Sequence, residues 1–187
     1  MNLRLDDASD GELAALARSG LQQAYVALTE RHRASVYRLA RSATGDVNEA
    51  FDIAQESFIA AFAAIDRYDP QRSFRAWIAR IALNKCRDWG RRRAVRKIFA
   101  WPMPEKAADI GEDQALPDEI AANRQELASV SAAIAKLPVR QKEVLLLRTV
   151  EGMTQAETAV VLGISEKSVE MRLYRARQTL SAFRETL

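Results

Sequence analysis

Apolar residues recur at helical spacing along almost the whole chain, and this periodicity constrains the fold more than any other feature. Two segments also open with the Ser/Thr-x-x-Glu pattern of a helix capping box, Ser9 with Glu12 and Thr154 with Glu157. No stretch alternates apolar and polar residues as a half-buried strand would, and seven glycines and five prolines are too few for a many-turned β protein. The sequence therefore predicts an all-α fold.

The first half of the chain should hold four helices. One follows the cap at Ser9, and a second is expected over about residues 21–43. Asp46 is placed to cap a third helix, because its side chain can accept from the free N–H groups of the first turn. The Tyr-Asp-Pro sequence at 68–70 then breaks the pattern, and a fourth helix should begin near Ser73.

The charge distribution divides the chain into two domains. The fourth helix ends in a basic run over 85–97, whereas residues 105–126 are dominated by acids and are preceded by Pro102 and Pro104. Composition shifts of this kind mark linkers. We therefore expect two helical domains, residues 1–97 and 118–187, joined by a flexible acidic linker over 98–117.

The last fifty residues have the pattern of a helix-turn-helix. The helix opened by Thr154 should end at Gly163, and Ser165 can cap the next one. Ala159, Gly163 and Val169 are spaced by four and six residues, as in DNA-binding helix-turn-helix units. A plain αα-hairpin in a bundle is the competing interpretation. The cations on the second helix, which fall away from its packing face, favour DNA binding: Lys167, Arg172, Arg175 and Arg177.

Composition excludes several classes of site. Twenty-eight Lys and Arg against 25 Asp and Glu give a net charge of only +3, so the location of the charges matters more than their sum. One cysteine, Cys86, and one histidine, His32, exclude an intrachain disulfide and a His/Cys zinc cluster. Charged residues flank His32, so we expect it to be solvated or interfacial, and we expect Cys86 to be inert rather than a redox sensor. No metal site, cofactor or small-molecule substrate is predicted.

The sequence also has no membrane signal. No stretch approaches the roughly 20 apolar residues of a membrane-spanning helix, and the acidic N-terminus has no apolar core of a signal peptide. We therefore expect a cytoplasmic protein without direct membrane insertion.

Two groups of motifs resemble one protein family. Residues 134–148, 151–157, 163–169 and 172–177 resemble region 4 of the extracytoplasmic-function (ECF) sigma factors. Residues 52–58, 73–84 and 88–93 resemble region 2 of the same family. Both regions occur in family order. The resemblance implies a transcription initiation factor, without a catalytic residue, that binds core RNA polymerase and promoter DNA. It also implies an anti-sigma protein as a partner, and a linker whose negative charge imitates nucleic acid in the polymerase.

The resemblance assigns the polymerase contact to the third helix. Asp52, Gln55 and Glu56 match the family positions that bind a coiled coil of the largest polymerase subunit, with Phe58 close by. Two acids and an amide on one helical turn suit a basic partner helix.

Contacts with the −10 promoter element are implied for the fourth helix and for the loop before it. Asn84 and Asp88 lie one helical turn apart and match base-reading positions, and an amide offers both a donor and an acceptor to a base edge. Trp77 is expected in the core. The complete set of expected −10 contacts is Arg67, Tyr68, Asn84, Asp88, Arg91, Arg92 and Arg93.

Contacts with the −35 element are implied for the second helix of the helix-turn-helix. The expected contacts are Lys167, Glu170, Met171, Arg172, Arg175 and Arg177. Glu170 departs from the family pattern, in which many relatives have a cation. A carboxylate cannot bind phosphate but can accept from cytosine N4. We therefore expect a −35 preference different from the common one.

Two other functions compete with this interpretation. A stand-alone helix-turn-helix regulator would bind duplex DNA without polymerase, but the basic run over 85–97 would then be a second nucleic-acid surface without a use. An all-helical enzyme finds little support, because the sequence has no glycine-rich phosphate loop and no HExxH motif.

Overall fold

The computed structural model describes residues 5–99, 130 and 132–185, and throughout these residues the chain is helical with no strand. This confirms the all-α fold predicted from the periodicity. The helices are α1 (Asp10–Arg18), α2 (Gln22–Thr44), α3 (Val47–Ala63), a short 3-10 helix (Ile65–Arg67), α4 (Phe74–Phe99), α5 (Val139–Thr149), α6 (Gln155–Leu162) and α7 (Glu166–Glu185). Residues 98–99 continue α4, and the rest of the expected linker and the start of the second domain lie outside the described residues.

The helix starts follow the predicted caps. Ser9 and Thr154 each complete a reciprocal capping box with the glutamate three residues on, and the Asp46 side chain accepts from the N–H groups of Asn48 and Glu49. These side chains satisfy backbone donors that have no partner within the helix. The polar residues between apolar runs therefore set the element boundaries.

Helices α1 to α4 form the N-terminal domain around one apolar core. Leu13, Leu28, Leu39, Phe74 and Ile78 are all almost completely buried in it. These apolar side chains meet at the centre of the bundle, and the outer faces of α3 and α4 are left to carry polar side chains.

Of the two expectations for His32, solvated or interfacial, the structure contradicts the first and places the side chain between α1 and α2. Its side chain is buried, and Nε2 lies 2.8 Å from Asp10 Oδ2 at the start of α1. Arg31 donates from Nη1 to the other carboxylate oxygen of Asp10, also at 2.8 Å. Two adjacent residues of α2, Arg31 and His32, therefore bind the first residue of α1. His32 is buried although its neighbours in the sequence are charged.

Helices α5 to α7 form the C-terminal domain and contain the helix-turn-helix. Val144 of α5, Ala159 of α6 and Val169 of α7 pack together as its small core. Gly163 between α6 and α7 has φ +64°, a left-handed conformation that residues with a Cβ rarely adopt. The predicted turn is therefore present at the predicted glycine.

The two domains pack against each other. Leu146, Leu147, Met153 and Val161 of the C-terminal domain belong to the same buried apolar cluster as the core of the N-terminal domain. Helix α5 lies against α2, and α6 lies against α4. We call this packing the closed arrangement. Among the described helices, none is both long and apolar enough to cross a bilayer.

Candidate polymerase and DNA interfaces

The outer face of α3 presents the three polar residues expected to contact polymerase. Asp52, Gln55 and Glu56 are all exposed. Glu56 accepts from Lys85 Nζ of α4 at 3.1 Å, so it is held toward α4, while Asp52 and Gln55 face solvent. The carboxylates and the amide therefore form one accessible acidic strip.

Phe58 requires a correction, because only 7% of it is exposed and it lies in the core of the N-terminal domain. Its ring packs against Phe62 at a centroid distance of 5.9 Å. The apolar side chains that do flank the acidic strip are Phe51 and Ile59, which are 64% and 63% exposed. Their spacing of four residues from Gln55 on either side is the sequence signal that could have identified them.

Helix α4 carries the base-reading candidates on its exposed side. Asn84 is exposed and Asp88 is partly exposed, with Asp88 accepting a short hydrogen bond from Arg91 Nη2. Arg92 and Arg93 are exposed one turn further along. The predicted set on this helix therefore shares one end of α4, with an amide, a carboxylate and three guanidinium groups available to a nucleic-acid strand.

The two tryptophans near this surface are structural. Trp89 is buried against α2 and α3, and the Arg93 guanidinium lies 5.2 Å from the centroid of its ring. Trp77 is half-buried, with its ring 5.5 Å from that of Phe74. Neither ring is free to serve as a stacking platform, as we predicted for Trp77.

Tyr68 also requires a correction. Only 4% of it is exposed, its hydroxyl donates to the carbonyl of Arg72 at 2.5 Å, and its ring meets that of Phe74 edge-on at 5.3 Å. Burial raises the pKa of the Tyr68 phenol. The break at 68–70 turns the chain back onto the core, so Tyr68 shapes the loop from inside, and of the two loop residues predicted, Arg67 alone is exposed.

Arg87 was missed as a site residue. It was noticed only as part of the basic run, but its Nη1 donates to Asn84 Oδ1 at 2.9 Å. The i, i+3 spacing from Asn84 was the available signal. The pKa of Arg87 is raised, chiefly by its hydrogen bond to Glu143 of α5.

Helix α7 presents most of the expected −35 contacts to solvent. The exposed members are Lys167, Glu170, Met171, Arg175 and Arg177. Lys167 and Glu170 form an ion pair at 3.0 Å. Arg172 is half-buried and faces the cleft between the domains.

Tyr174 is a second residue that sequence reasoning missed. It is 57% exposed beside Met171 on α7, and its hydroxyl accepts from Gln178 Nε2 at 2.8 Å. An aromatic ring at i+3 from an exposed methionine gives this face of α7 an apolar patch between its charges. Such side chains suit thymine methyl groups in a major groove.

Cys86 and the acidic groups give no sign of redox or metal chemistry. Burial, followed by the charge of Glu143, raises the pKa of the Cys86 thiol to about 12, so almost no reactive thiolate exists at neutral pH. In the part of the chain that the structure describes, His, Cys, Asp and Glu side chains form no group suited to a metal ion.

Comparisons with known proteins give the family. Sigma-70 region 2 matches residues 28–96, and Sigma-70, region 4 matches residues 127–180. RNA polymerase sigma factor CnrH of Cupriavidus metallidurans is 42% identical over 178 residues, which cover 93% of each chain. NccH of Alcaligenes xylosoxydans xylosoxydans is 36% identical over 95% of each chain. ECF RNA polymerase sigma factor SigE of Mycolicibacterium smegmatis is 31% identical, over 82% of this chain and 58% of SigE.

A solved structure agrees with these relatives. The structure of CnrH in complex with the cytosolic domain of CnrY superimposes with a TM-score of 0.72 at 37% identity, covering 96% of this chain and 99% of that one. The likeness thus extends through both domains and the helix-turn-helix. Together with relatives that match along nearly its whole length, it establishes that the chain belongs to the ECF sigma factors of RNA polymerase.

Proposed function

We propose that this chain binds core RNA polymerase through α3 and directs it to a specific class of promoters through α4 and α7. The observation that carries the proposal is the presence of two separate exposed surfaces, each with cations and polar side chains, in two domains. Asn84 with its neighbouring cations lies on α4, and α7 exposes Lys167, Glu170, Met171 and Arg175. A stand-alone regulator needs only one such surface.

The acidic strip on α3 supplies the polymerase contact. Asp52, Gln55 and Glu56 are accessible together, and the flanking rings and methyl groups of Phe51 and Ile59 add apolar area. Apolar area at the centre of an interface supplies most of the affinity, while charges around it set orientation and association rate. This combination suits a partner helix that is basic along its edges and apolar at its centre.

Promoter recognition follows from the two DNA surfaces. The guanidinium groups of Arg91, Arg92 and Arg93 hold phosphates, and Asn84 and Asp88 read bases of the −10 strand. Helix α7 enters the major groove of the −35 element, where Glu170 accepts from cytosine N4 and Arg172 donates to a guanine edge. No bond of a substrate is made or broken by this chain, because binding to separated strands is sufficient to favour promoter opening.

We further propose an anti-sigma protein as a partner, and the cytoplasm as the place of action. The first proposal is supported by CnrH, a relative of the same fold whose structure was solved with the cytosolic domain of CnrY. The second proposal rests on the proposed function in transcription initiation, since polymerase and promoters are cytoplasmic in bacteria.

Run-off transcription with core polymerase on a pool of genomic promoter fragments tests the proposal. We expect new start sites only when the chain is added, sharing one −35 and −10 pair. Duplex binding that needs no polymerase, with no new transcripts, would instead indicate the stand-alone regulator. A chain with Asp52→Ala and Glu56→Ala serves as the control, because it should lose transcription while retaining its fold.

A further inference from the structure

A two-point ion pair joins the domains across the closed arrangement. Glu143 of α5 is only 6% exposed, and both of its carboxylate oxygens accept from Arg87 of α4. One contact, from Arg87 Nε, is very short, and the other, from Nη2, is 2.7 Å. Nη1 of the same guanidinium donates to Asn84. The paired donors of Arg87, Nε and Nη2, are therefore occupied by Glu143, although 37% of the Arg87 side chain remains exposed.

The Glu143 carboxylate binds Arg87 in the way that a phosphate would. A guanidinium fork binds a carboxylate and a phosphate with the same paired N–H···O geometry, and both acceptors carry negative charge. Arg87 also lies between Asn84 and Arg91 along α4, and it is bonded directly to the amide expected to read a −10 base. A phosphate of a strand bound along this surface would reach Arg87.

The cleft next to this ion pair is also positive. It encloses about 490 Å³, and its charged lining includes Arg140 of α5 and Arg172 of α7 in addition to Arg87 and Glu143. Three guanidinium groups therefore face one carboxylate. This excess of positive charge suits a polyanion, yet in the closed arrangement the Glu143 carboxylate occupies the paired donors of Arg87.

We propose that Arg87 is a phosphate contact for the −10 strand and that Glu143 occupies this contact in the free protein. The closed arrangement then withholds this one contact from single-stranded DNA until the domains separate, while the exposed cations of α4 stay accessible. This inference rests on the proposed function, because it names a further DNA contact and its internal competitor.

A second contact at the domain boundary carries a cost of closure. Glu151 is buried at the domain boundary, where Ser35 donates to it and Arg75 Nη2 lies 3.5 Å from Oε2. Its other oxygen, Oε1, is buried with no hydrogen-bond partner among the described residues. A buried carboxylate with an unsatisfied oxygen opposes closure through its lost hydration. Opening returns Glu151 to water, which offsets part of the lost apolar contact.

Two variants at the ends of the same ion pair test the proposal. Glu143→Gln and Arg87→Ala should both open the full-length protein, increasing its radius of gyration in small-angle X-ray scattering. Their DNA affinities should diverge. A fluorescein-labelled random single-stranded 20-mer serves as the probe, because a phosphate contact needs no promoter sequence.

Glu143→Gln should bind this probe at least about tenfold more tightly than the wild type, since a larger fraction of the protein is binding-competent. Arg87→Ala should gain less than Glu143→Gln, because it opens the protein but lacks the phosphate contact. The salt slope of its DNA affinity should be smaller than that of Glu143→Gln by about 0.7, the value for one lost phosphate contact on a single strand. Equal gains in both variants would overturn the phosphate role of Arg87. An unchanged radius of gyration and unchanged affinity in Glu143→Gln would overturn the closure.

Matched controls come from an ion pair within α2. Glu30 and Arg33 are 2.9 Å apart, and both side chains are largely exposed. Glu30→Gln and Arg33→Ala change the net charge equally without touching the domain boundary, so neither should open the protein. If Arg87→Ala fails to fold, the double variant Arg87→Glu with Glu143→Arg replaces it. Its radius of gyration should equal that of the wild type, and it should lack the gain in DNA affinity expected for Glu143→Gln. Failure of wild-type run-off transcription would count against the proposed function alone, because these measurements use no polymerase.

Discussion

At the scale of single residues, the Asp10 carboxylate connects two helices through a charge. His32 and Arg31 of α2 both donate to it, and the pKa of Asp10 is lowered, chiefly by the hydrogen bond from His32. A group whose folded-state pKa is depressed contributes stability that is present above its ordinary pKa. That contribution is lost as the pH falls through the folded-state value.

Asp10→Asn should therefore lower the free energy of unfolding at neutral pH. The difference from the wild type should shrink as the pH falls below the ordinary aspartate value of 3.8. Urea unfolding at a series of pH values measures it. A difference that stays constant down to pH 2 would show that the carboxylate contributes through packing and not through its charge.

Tyr68 provides a second prediction for a single residue. Tyr68→Phe removes only the hydroxyl that donates to the Arg72 carbonyl, so stability should fall by about 1 kcal/mol. Transcription from the −10 element should stay at the wild-type level, because the ring is buried. If Tyr68→Phe instead lost promoter opening with an unchanged free energy of unfolding, Tyr68 would contact DNA as first predicted. Arg67→Ala, which alters an exposed neighbour, is the matched variant expected to weaken DNA binding.

Individual residues show how far the site could be predicted. Exposed polar residues such as Asn84 and Lys167 were predictable, because polarity and helical spacing agree on where they lie. The burial of Phe58 and Tyr68 was not predictable, because aromatic residues are common both in cores and in interfaces. Only the packing of neighbouring helices decides between the two.

At the scale of elements, α3 separates its structural face from its binding face. Phe51→Ala or Ile59→Ala should weaken binding to core polymerase and leave the free energy of unfolding within about 0.5 kcal/mol of the wild type, because both side chains are largely exposed. Phe58→Ala should cost about 3–5 kcal/mol of stability, because it leaves a cavity in the core. Titration of labelled core polymerase, beside urea unfolding, measures both effects.

The polymerase titration also has a clear contrary outcome. If Phe51→Ala and Ile59→Ala leave core affinity unchanged while Asp52→Ala lowers it, the contact depends on charge alone. Val26→Ala on α2 is the control, because it removes a similarly exposed apolar side chain from a different face.

Element boundaries were predictable wherever a side chain caps the backbone. Ser9, Asp46 and Thr154 mark their helices within one residue, because the cap satisfies local N–H groups regardless of tertiary packing. The C-terminal end of α4 was not marked in this way. We expected the first domain to end with the basic run at residue 97, but the helix continues through this run to Phe99.

At the scale of the whole molecule, the closed arrangement could not be predicted. Its contacts include Glu143 and Glu151, acids that a sequence pattern assigns to solvent. Both carboxylates lie opposite arginines that precede them by more than 50 residues in the chain, Arg87 for Glu143 and Arg75 for Glu151. Pairing over such a separation leaves no local signal.

Cys86 provides an internal reporter of this arrangement, because it is the only cysteine in the chain. Its pKa is raised to about 12 by burial and by the nearby Glu143 carboxylate, so a thiol reagent at pH 8 should react on the order of a thousandfold more slowly than with a free cysteine. Glu151→Ala leaves Glu143 in place and removes the carboxylate contacts with Ser35 and Arg75, while the hydrogen bond from Arg75 to the backbone carbonyl of residue 151 needs no side chain. If those contacts outweigh the lost hydration of the buried Glu151 carboxylate, this variant exposes Cys86 by opening alone, and its alkylation should accelerate while the helical circular dichroism stays unchanged. An alkylation rate equal to that of the wild type would mean that the apolar cluster around Leu146 and Met153 is sufficient for closure, and that the charged contacts only orient the domains.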